Sequence, residues 1–148
     1  MNYMKLINQS LVFVIAVLAL TSCASMPASY AFNNSRTYDQ SYDAVWEKIV
    51  GFFASRNIPI KNIAKDSGVI YAESSSFDDT FADCGKGGLM IPIARRASFN
   101  VFVTRSGDEP KVSVNTQFQE TRQFDTTVTT VTCNSKGVIE RAVLDAIN

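Results

Sequence analysis

Histidine is absent from this chain of 148 residues, and its fourteen Lys plus Arg are matched by fourteen Asp plus Glu, a formal net charge of zero. The first absence removes the commonest acid, base and metal ligand at neutral pH. The second removes the basic footprint of a nucleic-acid binder, so no nucleic-acid partner is expected. Long hydrophobic runs are lacking too: the stretch 11–20 is apolar throughout, but a transmembrane helix needs about twenty such residues. Charged residues make up only 19% of the chain and aromatic residues 11%, a balance too rich in core formers for a disordered protein. One small packed domain is expected.

The apolar stretch 11–20 follows Lys5 and precedes small residues. Positive, apolar, small is the order of an export signal, whose apolar part needs about 7–15 residues. Leu20-Thr21-Ser22-Cys23 closes it. These four positions resemble the lipobox of bacterial lipoproteins, a leucine, two small residues and then the modified cysteine. The resemblance implies that 1–22 is a lipoprotein signal peptide, that the Cys23 thiol carries a diacylglycerol, and that the acylated mature chain starts there. Several acyl chains, palmitate among them, at about 0.8 kcal/mol per buried methylene give stable anchoring to a membrane. Ala24 rather than Asp follows the cysteine, the pattern passed to the outer membrane in Gram-negative lipoproteins. The implied location is the outer membrane, lipid-anchored, with the domain facing the periplasm or the cell surface. Residues 23–34 are small, polar and contain Pro27, which reads as a flexible tether, and 35–148 reads as a single domain.

With Cys23 lipidated, Cys84 and Cys133 remain as an even pair in an oxidising compartment, and a disulfide is expected. Closing a loop of about fifty residues stabilises a fold by about 4 kcal/mol in the chain-entropy treatment. A zinc or redox site lacks its groups, because neither cysteine belongs to a Cys-x-x-Cys pair and no histidine exists.

Along the domain, 35–40 reads as a short first strand. Ser41 stands as an N-cap before Tyr42, Val45, Trp46, Ile49, Val50, Phe52 and Phe53, whose spacing predicts an amphipathic helix ending near Arg56-Asn57. Ile58, Ile60 and Ile63, the turn Lys65-Asp66-Ser67-Gly68 and the run 69–73 predict a hairpin. The stretch 74–88 has no periodicity and reads as a long loop. From Ala97 the alternation returns, with Phe99, Val101 and Val103 on one face. In the next strand Val112, Val114, Thr116 and Phe118 face one way while Ser113, Asn115, Gln117 and Gln119 face the other. The threonine-rich 126–132 favours a further strand, and Ser135 stands where it can cap a last helix with Val138, Ile139, Ala142, Val143, Ala146 and Ile147 on its apolar side. Helices at both ends of an antiparallel run predict an α+β two-layer sandwich, an antiparallel sheet of about five strands packed by two helices. Ser41 with Trp46 and the turn Asp66-Ser67-Gly68 resemble the small helix-on-sheet domains of BamC-like periplasmic lipoproteins, which implies the same layering.

Catalytic groups are hard to assemble from this sequence. A serine or cysteine nucleophile has no histidine to activate it, and neither Ser135-Lys136 nor Lys65-Asp66-Ser67 has Ser-x-x-Lys spacing. Asp78-Asp79 reads as a solvated pair without the spacing of a calcium loop. Gly85-Lys86-Gly87-Gly88 lacks the order of a phosphate-binding loop, and Arg95-Arg96 reads as a solvated pair flanking a strand. No enzyme activity, metal or cofactor is expected. The reading that remains is a non-enzymatic protein-binding or accessory module of the envelope, contacting an envelope protein through Asn115, Gln117 and Gln119 with the 74–88 loop. The alternative is a small lipid or hydrophobic ligand held between helix and sheet by Trp46, Phe53, Phe99 and Phe118.

Overall fold

The computed structural model describes residues 24–106 and 109–148; Cys23 and the expected signal peptide lie outside the described residues. In chain order the elements are β1 (Ala24–Ser25), β2 (Ser35–Thr37), α1 (Tyr42–Ser55), β3 (Ile60–Ala64), β4 (Val69–Ser74) and β5 (Ala82–Asp83). They continue with β6 (Lys86–Gly87), β7 (Ile91–Ser106), β8 (Glu109–Phe124), β9 (Thr127–Ser135) and α2 (Val138–Asp145). One antiparallel sheet runs β3-β4-β7-β8-β9-β5, with β2 beside the start of β8, and β1 pairs separately with β6. Among the described residues the architecture is α+β, a sheet with two helices, and the sheet carries seven strands rather than about five. The difference comes from strands such as β5, which pairs through two residues only and has no alternation of its own to announce it.

Local chemistry explains the ends of α1. The Ser41 hydroxyl accepts a bond from the Ala44 N–H at 3.2 Å, satisfying one of the helix's orphan donors. Asn57, just past the end, takes φ +53°, a conformation asparagine tolerates better than most residues. The apolar face buries Val45, Trp46, Ile49, Phe52 and Phe53. Phe53 and Phe118 are among the largest fully buried side chains, each stabilising the fold by about 1.5–3 kcal/mol.

β7 and β8 form a long hairpin of sixteen residues a side. β7 begins six residues before the predicted alternation, and the irregularity between Pro92 and Ala94 shows how a proline without an N–H enters the ladder at a bulge. Val101, Val112, Val114 and Phe118 point into the core, while Asn115 and Gln117 on the same hairpin are exposed. The predicted β3–β4 turn is present. Gly68 takes φ +67°, and the Val103 N–H donates to its carbonyl at 2.7 Å, which locks this turn onto β7.

α2 differs at its start from the sequence reading. Its N-cap is Gly137, at φ +72°. Ser135 works two residues upstream, its hydroxyl accepting from the Gly137 N–H at 3.0 Å and donating to Glu140 at 2.7 Å.

Candidate functional site

Cys84 and Cys133 are joined, 49 residues apart in sequence. The bond lies one step along the ladder from two partners, Asp83 on β5 and Asn134 on β9, and these two residues hold the amino-terminal segment. The Asp83 carboxylate accepts from the Gly85 N–H at 2.7 Å, the Ala28 N–H at 3.1 Å and the Tyr30 hydroxyl at 3.2 Å. The Asn134 amide donates to the Pro27 and Ala28 carbonyls at 3.3 and 3.0 Å. The bond from the Gly85 N–H, then that from Ala28, holds the Asp83 carboxyl below its ordinary value. With Ala24 opposite Gly87 in the β1–β6 ladder, the stretch 24–30, which composition presents as part of a tether, lies along the domain. Phe32 continues the contact, close enough that a Cβ on Gly137 would meet its ring at 2.4 Å.

Beside this segment the inward face of β8 changes from apolar to charged. Glu120 is 1% exposed. Its Oε2 accepts from Arg95 Nε at 2.7 Å and stands 2.6 Å from Arg95 Nη2 as an ion pair, and its Oε1 accepts from Arg122 Nε at 2.6 Å. Both guanidinium groups reach on into the 74–88 stretch. Arg122 donates to the Cys84 and Gly85 carbonyls at 2.7 and 3.0 Å, and Arg95 donates to the Phe77 carbonyl at 3.2 Å and to Asp79 at 2.7 Å. Burial opposes the charge on Arg95, but the bonds to Glu120 and Asp79 outweigh it and raise its pKa. The solvated Arg95-Arg96 pair of the sequence reading is therefore split. Arg95 is turned into the fold and only Arg96 is exposed.

These groups line a cavity of about 360 Å³ with Asp83 and Lys136. Arg95, Arg122, Asp79 and Glu120 there already pair with one another, and Lys136 Nζ donates to the Asp79 carbonyl at 2.7 Å. The cluster is a clasp that fixes the long loop to the sheet. Asp78 is used locally, bonding the backbone and hydroxyl of Thr80, which lowers its pKa.

Glu140 is a second buried carboxylate, 1% exposed. Its Oε1 accepts from the Thr116 and Ser135 hydroxyls, and its Oε2 has no hydrogen-bond partner among the described residues. It ties the first turn of α2 to β8.

The expected contact residues fall on the opposite face of the sheet. Asn115, Gln117 and Gln119 stand in one row on β8, opposite Asn100, Ser98 and Arg96 of β7. Asn115 accepts from the Asn34 side chain at 2.9 Å, while Gln117 and Gln119 make no side-chain hydrogen bond among the described residues. The free edge at β3 is blunted for strand addition by the exposed Lys61 and by a register shift between Ile60 and Asn62.

The aromatic set divides. Phe99 and Phe118 line a cleft of about 450 Å³ with Phe77, Phe81 and Ile139, and Arg56 stands at its rim. Trp46 and Phe53 are core residues outside that lining. Among the described residues no group of three or more His, Cys, Asp or Glu side chains is arranged to hold a metal, and no helix is long and apolar enough to cross a membrane. The chain matches no protein-family model and no curated protein.

Proposed function

We propose that this chain is an envelope lipoprotein, anchored in the outer membrane through Cys23, whose domain is a non-enzymatic docking module for another envelope protein. The lipobox Leu20-Thr21-Ser22-Cys23 supports the anchor. The observation that supports docking is the polar outer face of the β7–β8 hairpin. Both helices lie on the side of the core, and across that outer face run Asn100, Ser98 and Arg96 opposite Asn115, Gln117 and Gln119. The chemistry favours a polar protein surface as the partner, held by side-chain amides, over an added strand at the blunted β3 edge.

Gentle solubilisation of membranes carrying a tagged full chain, followed by identification of co-purifying proteins, tests this reading. A specific partner should be retained by the wild type and lost when Asn115, Gln117 and Gln119 are replaced by alanine. Retention of every partner by the triple variant refutes the assignment of the face.

A second reading is favoured by the aromatic cleft, whose volume and lining suit a small lipid or other hydrophobic ligand. Organic extraction of the purified protein followed by mass spectrometry should then recover one ligand class in near-stoichiometric amount. Recovery no higher than from a variant with Phe77 and Phe81 replaced by leucine refutes it.

A further inference from the structure

Nine large hydrophobic side chains are conspicuously exposed among the described residues, and five of them, Leu89, Ile91, Ile93, Phe124 and Val128, gather at one end of the sheet. They are between 50% and 77% exposed. Single exposed apolar residues are ordinary, whereas a contiguous group marks a surface made to meet something. Their places in the ladders put all five at this end, Ile91 and Val128 on one face of the sheet and Phe124 on the other. Leu89 is at the tip of a turn closed by the Met90 N–H on the Gly87 carbonyl at 3.1 Å. Ile91 opens β7 and faces Gln123, which faces Val128 across β8 and β9, so the three form one row. Ile93 sits at the bulge, and Phe124 ends β8 beside Asp125, which turns the chain at φ +50°.

The chain leaves the described fold at this same end. Ala24 is paired with Gly87, the first residue of the turn that carries Leu89. Between residue 23 and the apolar end there is no free length of chain, because 24–30 is held by β6, Asp83 and Asn134. One residue spans at most about 3.6 Å. Acyl chains on Cys23 would therefore begin within a few residues' reach of Leu89.

We propose that the apolar end formed by Leu89, Ile91, Ile93, Phe124 and Val128 rests in the interfacial layer of the lipid membrane beside the anchor. The proposal builds on the reading of Cys23 as the lipidated residue. A lipid surface is the occupant that fits, because the patch stands where an anchored chain must meet lipid. Apolar side chains at such a place settle about 5–10 Å into the boundary of headgroups and acyl chains. Lys86, exposed in the same ladder as Ser25, adds a cation at the headgroup level, with Asp125 as the nearby acid. The domain then stands on its apolar end, with the Lys65–Gly68 turn at the far end of the sheet.

The test uses the full chain, expressed in a Gram-negative envelope, purified and reconstituted in vesicles of phosphatidylethanolamine and phosphatidylglycerol that contain a diazirine-bearing phospholipid. Irradiation and peptide mass spectrometry read two things in one experiment: the acyl mass on Cys23 and the positions labelled by lipid. Labelling of 88–93 and 123–128 should exceed that of 61–68 severalfold, as an end immersed in the interface meets lipid and one held in water does not. It should fall to the level of 61–68 in the variant Leu89→Ser, Ile91→Thr, Val128→Thr, whose unfolding midpoint should be unchanged because all three side chains are exposed. Even labelling of both ends, or cross-links from the apolar end to a protein or to a second copy of the chain, overturns the proposal. If Cys23 carries its acyl mass in that case, the lipoprotein reading stands alone. Labelling of the apolar end with Cys23 unmodified keeps the lipid-facing surface and overturns the anchor.

Discussion

Glu120→Gln is the substitution by which the structure makes its sharpest demand. The side chain keeps its size, but its charge goes and one acceptor becomes a donor. In the native protein Glu120 accepts one hydrogen bond from Arg95 and one from Arg122, and a further ion-pair contact to Arg95 Nη2 brings all three distances to 2.6–2.7 Å. A glutamine oxygen can serve one guanidinium, and its amide nitrogen then faces the other, donor against donor. Arg95 keeps Asp79. Arg122 keeps only carbonyl partners, with its side chain 8% exposed. Removing one partner of a buried ion pair costs about 3–5 kcal/mol, because the remaining charge stays out of water. Against a total stability of about 5–15 kcal/mol for a domain of this kind, that is a large share. The assay is urea unfolding followed by the fluorescence of Trp46, the only tryptophan, which is buried on α1. The midpoint should fall with the slope unchanged. Replacing Glu120 and Arg122 together by leucine should cost less than Glu120→Gln alone, because no charge is then stranded. A loss below about 1 kcal/mol for Glu120→Gln, the scale of an exposed ion pair, refutes the clasp as a buried one.

Replacing Cys84 and Cys133 by serine should lower stability by about 4 kcal/mol and raise amide exchange across 24–30, whose holders flank the bond; a loss under about 1 kcal/mol refutes the loop-closure account. Because the Asp83 carboxyl titrates lower in the folded protein than in the unfolded chain, its contribution is full above the unfolded value and is lost as pH falls through the folded one. The Gly85 and Ala28 amide resonances should therefore move together with a midpoint below 3.8, and a midpoint at or above that value refutes the clamp. Gly68→Ala should cost about 2–4 kcal/mol, since a Cβ there would lie 2.0 Å from the Val103 carbonyl oxygen on top of the positive φ; a thermal midpoint equal to wild type refutes it.

Where one period governs a stretch, the sequence is a good guide to this fold. The spacing from Tyr42 to Phe53 and the hydroxyl of Ser41 describe α1, and the alternation from Val112 to Phe118 assigns both faces of β8 correctly. The same alternation runs on to Glu120 and Arg122, and back from Ala97 to Arg95. The charged clasp was thus legible in phase, hidden only by the habit of reading charged residues as solvated. Glu140 carried a fainter sign, standing in the first turn of α2 where a carboxylate is favoured by the helix end. Neither β5 nor β6 could be read, since two residues show no period and their partners, Ser135 with Asn134 and Ala24 with Ser25, lie about fifty to sixty positions away. The docking of 24–30 depends on Asp83 and Asn134 in the same way. Small polar composition describes a free chain until such distant partners are known.

The clamp on 24–30 also sets a distance. An unheld stretch of the length of 24–34 would extend at most about 35–40 Å, enough for a tethered domain to swing and to meet partners well away from its point of attachment. Laid along β6 and β9, the same residues add almost nothing to that reach. Under the proposed anchor at Cys23, a domain so held would stand as a fixed post, and whatever it engages would have to come down to the height of the post.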